Sequence, residues 1–342
     1  LVKELVGDLL GVFQELLANS LCPVLQPAIA VGSAFEGWNP SDDHAVYRLL
    51  VPLRPPRGHA FHLELGTAWE MPAKGSRVCV ELECTCTREQ LVENTLCFLH
   101  HPKEELRRNP SLLGTLCSGS YLDVQKTAHW LQNLVRSAWL SVPQSQHYNM
   151  KVLPSSRSCK LQLTNISGVT LCVEMIFGVQ QGDSDIFLSS QASEDIFMPS
   201  TTWPESYAVA EAKFFGHMAR QVPHDTCHLE CLQVCTHILM GTGFSDYVVK
   251  TVMMYLLNTI DPSSWSRKQF VMRLQDIMEC LRDCLEEKRL DHFLFGNENV
   301  PKEIILPQAF RLSKPLNLFQ CLAQDPHVFA KAVREFNQLQ DL

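Results

Sequence analysis

Every strand-like segment of this 342-residue chain lies before about residue 205, and the remainder reads as helix. No feature constrains the fold more, because a sheet cannot extend into a region that supplies no strands. Val46–Leu53, Phe61–Leu65 and Arg77–Cys86 alternate or run apolar, as strands do. Tyr148–Leu153, Cys159–Leu163, Val169–Val179 and Ile186–Ser189 share the same pattern. Two helices interleave with them. Residues 1–20 place Leu1, Leu5, Leu9, Val12, Phe13 and Leu16 at helical spacing, and Tyr121–Leu140 puts Leu122, Ala128, Leu131, Val135 and Trp139 on one face. Short helical pieces are expected around Leu91–Leu99. After Trp203 the periodicity predicts helices over 205–221, 226–240, 246–258, 264–287 and 325–340. The expected class is α+β. A mixed-sheet lobe with flanking helices covers residues 1–205, including helix 1–20, and an all-helical lobe covers 206–342.

Composition narrows the function. Hydrophobic residues make up 46% of the chain, enough for a packed core. The formal net charge of −8 argues against a nucleic-acid partner, which demands a dense Lys/Arg footprint. The densest basic cluster is small: Lys103, Arg107 and Arg108. Fourteen cysteines show no compact disulfide framework and read as reduced thiols in packed elements, as at Cys79, Cys172 and Cys280. Cys84-x-Cys86 reads as a pair on one strand face, in the core and not a redox pair. No run approaches about 18 apolar residues, so no transmembrane helix is expected within these residues. The chain opens at Leu1 inside an amphipathic pattern, which is expected of a piece of a longer protein. No Walker loop, dinucleotide fingerprint, nucleophile elbow or zincin motif occurs, and no cofactor is expected.

Val31-Gly32-Ser33-Ala34-Phe35-Glu36-Gly37-Trp38, with Asp42-Asp43-His44 and the strand after it, has the layout of a phosphoryl-transfer site with one part missing. A Gly-Ser turn between strand and helix can cradle phosphate oxygens on Gly32 and Ser33. Two carboxylates two residues apart on the strand would then face one side and hold Mg²⁺. Asp42 fills the first position, but His44 fills the second, and imidazole suits a hard cation poorly. Asp43 points to the other strand face. Glu174 is an acid inside the apolar run Leu171–Ile176, where an unpaired carboxylate is costly. It either faces a polar cleft as a third metal ligand or pairs with a base.

A second constellation is His224, Cys227, His228 and Cys231, with Cys235 and His237 beyond. Cys227, Cys231 and Cys235 recur every four residues, so they share a helix face. Zinc sites usually draw ligands from two short segments, and this set lies almost wholly on one helix. A helix face that happens to use cysteine is the alternative.

Phe244-Ser245-Asp246-Tyr247-Val248-Val249-Lys250-Thr251, followed by Trp265, resembles the Ser-x-Tyr-x-x-Lys-Thr helix of the Mab-21 family, which includes cyclic GMP-AMP synthase. Cys280-Leu281-x-x-Cys284-Leu285 with Leu290 and Phe293 resembles the next helix of that family. Cys227-His228-Leu229-x-Cys231-Leu232-Gln233, His292-Phe293-x-x-Gly296-Asn297 and Pro315-Leu316-Asn317-Leu318-Phe319 are most similar to its inositol trisphosphate receptor-interacting members. The resemblance implies a nucleotidyltransferase fold joined to a helical lobe. It places Gly32 and Ser33 at the triphosphate turn, Asp42, His44 and Glu174 at the three acid positions, and Tyr247 and Lys250 on the nucleotide-facing helix. His44 departs from that pattern, so the resemblance implies a pseudoenzyme with Gly32, Ser33, Tyr247 and Lys250 left as ligand-binding candidates. It further implies a membrane-anchored, single-pass protein; the free-cysteine texture favours the cytoplasmic side for this domain. Its expected partner is a membrane receptor or channel, the inositol trisphosphate receptor by resemblance.

Overall fold

A computed structural model gives the fold. It describes all residues except 19, 40–44, 67–74, 87–96, 102–103, 105–111, 192–197, 241, 243, 341 and 342. Asp42 and His44, the basic cluster at Lys103, Arg107 and Arg108, and most of the helical pieces expected around Leu91–Leu99 lie outside the described residues.

The described strands, in chain order, are β1 Val24–Leu25, β2 Ile29–Val31, β3 Val46–Arg54, β4 His59–Glu64, β5 Arg77–Leu82, β6 Cys117–Ser118, β7 Tyr121–Leu122, β8 Tyr148–Leu153, β9 Cys159–Asn165, β10 Thr170–Gln180, β11 Phe187–Ser189 and β12 Glu205–Ser206. β10 organises the larger sheet. It pairs in parallel with β3 over Cys172–Gly178 and antiparallel with β9 over Thr170–Met175. β11 takes its far end, from Gly178 to Gln180. β1 and β2 pair with β3, β8 pairs with β9, and β12 pairs with β11. A strand flanked on both edges and buried on both faces reads as a continuous apolar run. Val173 to Val179 are buried accordingly, with Glu174 the ionisable residue among them. Val31, Leu50, Ile176, Phe187 and Val209 form one packed cluster on this sheet. A smaller antiparallel sheet has the order β4-β5-β7-β6.

The chain divides into two compact units. One holds Leu1–Val31 and Val46–Val209, with both sheets and the helices Val2–Leu17 and Val124–Ala138. The other holds Gly32–Ala45 and Ala210–Leu342. Its main helices are His228–Leu239, Asp246–Thr259, Phe270–Glu286 and Pro326–Gln340, with the helix Ala208–Ala219 from Ala210 on. Among the described residues, no helix is long and apolar enough to cross a membrane.

Three expected elements end elsewhere for local reasons. The helix expected over Tyr121–Leu140 starts at Val124, because the Asp123 side chain caps it by accepting from the Lys126 N–H at 3.0 Å. The helix expected over 264–287 starts at Phe270. Thr226 and Ser266 form a β-bridge and the Arg267 N–H donates to the Asp225 carbonyl, which holds the preceding residues in short 3₁₀ turns. The strand expected to reach Cys86 stops at Leu82, whose partner is His59, the first residue of β4. Before His59 comes Gly58 with φ +73°, a left-handed bend after which the ladder ends with one last bond, from the Glu83 N–H to the Gly58 carbonyl. Cys84 and Cys86 are therefore exposed beyond the strand, not a core pair.

Candidate functional site

The Gly-Ser turn forms as the sequence suggests, between a strand and a helix. Gly32 adopts φ 84° and opens the four-residue helix Ser33–Glu36. Gly37 closes it in the left-handed region, its N–H donating to the Ser33 carbonyl at 2.8 Å. A Cβ on Gly37 would sit 3.1 Å from Leu229 Cδ1, so both conformation and space favour glycine. The Ser33 hydroxyl, the candidate phosphate donor, donates to Asn39 Oδ1 at 3.1 Å. The Asn39 carbonyl in turn accepts from Gln233 Nε2 at 2.9 Å.

Three residues after Ser33, Glu36 enters a buried charge cluster. Lys250 Nζ lies 2.9 Å from Glu36 Oε2 and 2.6 Å from Glu211 Oε2. The three side chains are 6%, 3% and 7% exposed. Trp38 Nε1 donates to Glu36 Oε2 at 2.6 Å, and Lys250 Nζ sits 5.6 and 5.5 Å from the Trp38 and Phe215 ring centres. Burial works against the lysine charge, but the Glu211 and Glu36 carboxylates outweigh it and raise its pKa above the usual lysine value. The Lys250 charge is thus used inside the protein. Glu36 and Glu211 carried no sequence signal that would pair them with a lysine so far along the chain.

Tyr247 lies one turn before Lys250 on the same helix. Its hydroxyl is 2.6 Å from His292 Nε2, and the Leu294 N–H donates to His292 Nδ1 at 3.2 Å. With Nδ1 accepting, Nε2 carries the proton and donates to the Tyr247 oxygen. His292 is 1% exposed, and burial pushes its pKa down to about 4.

Glu174 pairs with bases. Its neighbour on β3 in register is Arg48, and its neighbour on β9 is Lys160. Arg48 Nε donates to Oε2 at 3.0 Å, and the Ser158 hydroxyl donates to Oε1 at 2.7 Å. Lys160 Nζ stands 3.9 Å from the same Oε1. Both carboxylate oxygens of Glu174 are held by protein donors.

The zinc constellation does not converge. His224 is exposed, while Cys227, His228 and Cys231 are buried. The Cys227 thiol donates to the Ser266 carbonyl at 3.4 Å, and Cys231 to that of Phe270 at 3.9 Å. Burial raises the pKa of both thiols. His228 Nδ1 lies 2.7 Å from Thr226 Oγ1, and burial takes its pKa down to about 4. These residues form a packed helix face, and they are not among the described groups whose ligand atoms cluster for a metal.

Residues 227–305 match the Mab-21 protein HhH/H2TH-like domain, which spans the helices from His228 to Glu286. The chain is 35% identical over 353 residues to inositol 1,4,5-trisphosphate receptor-interacting protein-like 1 of Rattus norvegicus, and 36% to that of Mus musculus. It is 28% identical to the inositol 1,4,5-trisphosphate receptor-interacting protein of Homo sapiens. Each alignment covers 99% of this chain. The chain spans 64% of the length of the two like-1 relatives and 66% of the human protein. The mixed sheet and the helical C-terminal region fit the nucleotidyltransferase-like fold of such proteins. Residues 227–305 thus carry the Mab-21 HhH/H2TH-like domain, in a chain that is similar over 99% of its length to the inositol 1,4,5-trisphosphate receptor-interacting proteins.

Proposed function

We propose that this chain is a non-catalytic Mab-21 domain that works by binding a protein partner. One observation carries the reading: Glu174 is neutralised from both neighbouring strands. A metal ion placed on that carboxylate would meet Arg48 and Lys160. Two like unit charges 4 Å apart near a protein surface repel by about 4 kcal/mol, and a divalent ion doubles the term. The Ser33 hydroxyl and the Lys250 ammonium, which would grip a triphosphate in a working site, are bonded to Asn39 and to two glutamates.

The relatives' names make the inositol 1,4,5-trisphosphate receptor the first partner to test. The family resemblance adds a membrane anchor outside these residues. The free state of the described cysteines supports placing the domain on the cytoplasmic side.

Two experiments test the role. Thermal denaturation with ATP or GTP and Mg²⁺ is expected to leave the melting temperature unchanged. A saturable rise abolished by Ser33→Ala would replace this reading with a ligand-sensing one. Capture of the receptor from membranes by the immobilised chain, lost on competition with free chain, is the positive expectation. Absence of the receptor from the captured proteins would remove it as the partner.

A further inference from the structure

Four residues remote in sequence from the Gly-Ser turn and from Glu174 come together at one end of β4 and β5. Cys84 and Cys86 come after β5, and Cys97 and His100 bracket the turn Cys97-Phe98-Leu99-His100. Among the described residues, these four form the one group of metal-ligating side chains whose donor atoms all lie within 4.8 Å of one another. His100 Nδ1 is 3.0 Å from Cys86 Sγ and 3.9 Å from Cys84 Sγ. We propose that Cys84, Cys86, Cys97 and His100 bind one Zn²⁺ as a structural Cys₃His site. The proposal is independent of whether the domain is a pseudoenzyme.

The geometry suits zinc. Zn–S bonds of about 2.3 Å and Zn–N bonds of about 2.0 Å in a tetrahedron set donor separations of roughly 3.5–3.8 Å. The observed spacings bracket that range, so closing on the ion needs adjustments of about 1 Å or less. The ligands come as Cys-x-Cys and Cys-x-x-His from two short segments, the pattern that the helical Cys227 set lacks. Four protein ligands leave no open coordination position, so the ion would be structural.

The scaffold around the cluster is built to hold both segments. Backbone N–H groups of Thr85, Leu99 and His100 are directed at the Cys97 sulfur, as a wrapped thiolate requires. Gly58 pins both halves. Its carbonyl accepts from the Glu83 N–H at 2.9 Å, next to Cys84. Its bare Cα receives the ring of Phe98, which is fully buried next to Cys97. A Cβ on Gly58 would lie 2.4 Å from Phe98 Cδ2, and φ +73° also selects glycine there. His59, with ring centres 5.6 Å apart, and Arg57, at 5.4 Å, complete the seat of Phe98. Gly58 is thus a positioning residue for the cluster.

Binding balances simply. Three thiols lose their protons to solvent as three Zn–S bonds form, and neutral imidazole gives the Nδ1 lone pair, with no electron transfer.

Metal analysis of the chain, purified without chelator, is expected to find one zinc per molecule. Cys84→Ser combined with Cys86→Ser removes it, whereas Cys227→Ser combined with Cys231→Ser retains it. Because the first variant risks misfolding, wild-type chain gives a second readout. Cys84, Cys86 and Cys97 should resist alkylation until a chelator is added, and Co²⁺ exchange should give thiolate charge-transfer and tetrahedral d–d bands. Zinc absent while the three thiols alkylate freely, a disulfide among them, or zinc lost only from the Cys227/Cys231 variant would each overturn the assignment.

Discussion

His292 shows how one residue's surroundings set a measurable property. Its Nδ1 accepts a backbone N–H and its ring is buried, so a second proton has no place in the folded state. His228 is buried beside Thr226, with Nε2 lacking a hydrogen-bond partner among the described residues. Burial brings both pKa values down to about 4. The unfolded chain takes up these protons near pH 6.5 and the folded chain does not, so the stability they confer is full above about 6.5 and is lost as pH falls toward 4. The unfolding free energy should drop by about 1.4 kcal/mol per pH unit for each histidine in that window. Denaturant titrations from pH 7 to 4 read the slope, and His292→Gln should remove one such contribution. Glu174 offers a contrasting case. Arg48 and Lys160 are about one-third exposed, so water takes over part of their charge when the carboxylate is lost. Glu174→Gln is expected to cost about 1–2 kcal/mol of stability by denaturation, a modest loss that leaves the fold intact. The sequence showed that Glu174 needed either a cleft or a base. It could not show which, because Arg48 lies 126 residues away and meets Glu174 only through the parallel register of β3 and β10.

Among the elements, the helix Asp246–Thr259 is fixed by charge as well as packing. Lys250 joins it to the short helix Ser33–Glu36 and to the helix Ala208–Ala219. Removing one partner of a buried ion cluster strands the others, which costs about 3–5 kcal/mol. Lys250→Ala should destabilise the chain by that amount in a denaturant titration. Lys250→Met with Glu36→Gln and Glu211→Gln should recover part of it, because no uncompensated charge remains. A lysine kept to grip a ligand would give a much smaller change in stability. The sequence placed this element to within one residue of its observed end, although Val248–Met254 are buried all round the helix and not on one face. Element ends were less legible. Leu82 ends β5 because Gly58 bends the neighbouring strand away, and alternation in Glu83–Cys86 carries no trace of that partner. The same bend places Cys84 and Cys86 beside Cys97 and His100, so the cluster could be sought from the Cys-x-Cys and Cys-x-x-His spacings but not located by them.

For the whole molecule, the change from strand to helix was legible in the two periods: the last described strand is Glu205–Ser206, and helices follow it. The allocation of Gly32–Ala45 to the unit of Ala210–Leu342 was not, since it rests on contacts such as Asn39 with Gln233 across 194 residues. The fold is nucleotidyltransferase-like, and Glu174 and Lys250 are each bonded to internal partners, which supports the proposed non-catalytic role. Pyrophosphate release from ATP and GTP with Mg²⁺, measured on purified chain beside Glu174→Gln, tests this most directly. The expected result is no release above background from either protein. Release by the wild-type chain that Glu174→Gln abolishes would contradict it and make the domain an enzyme.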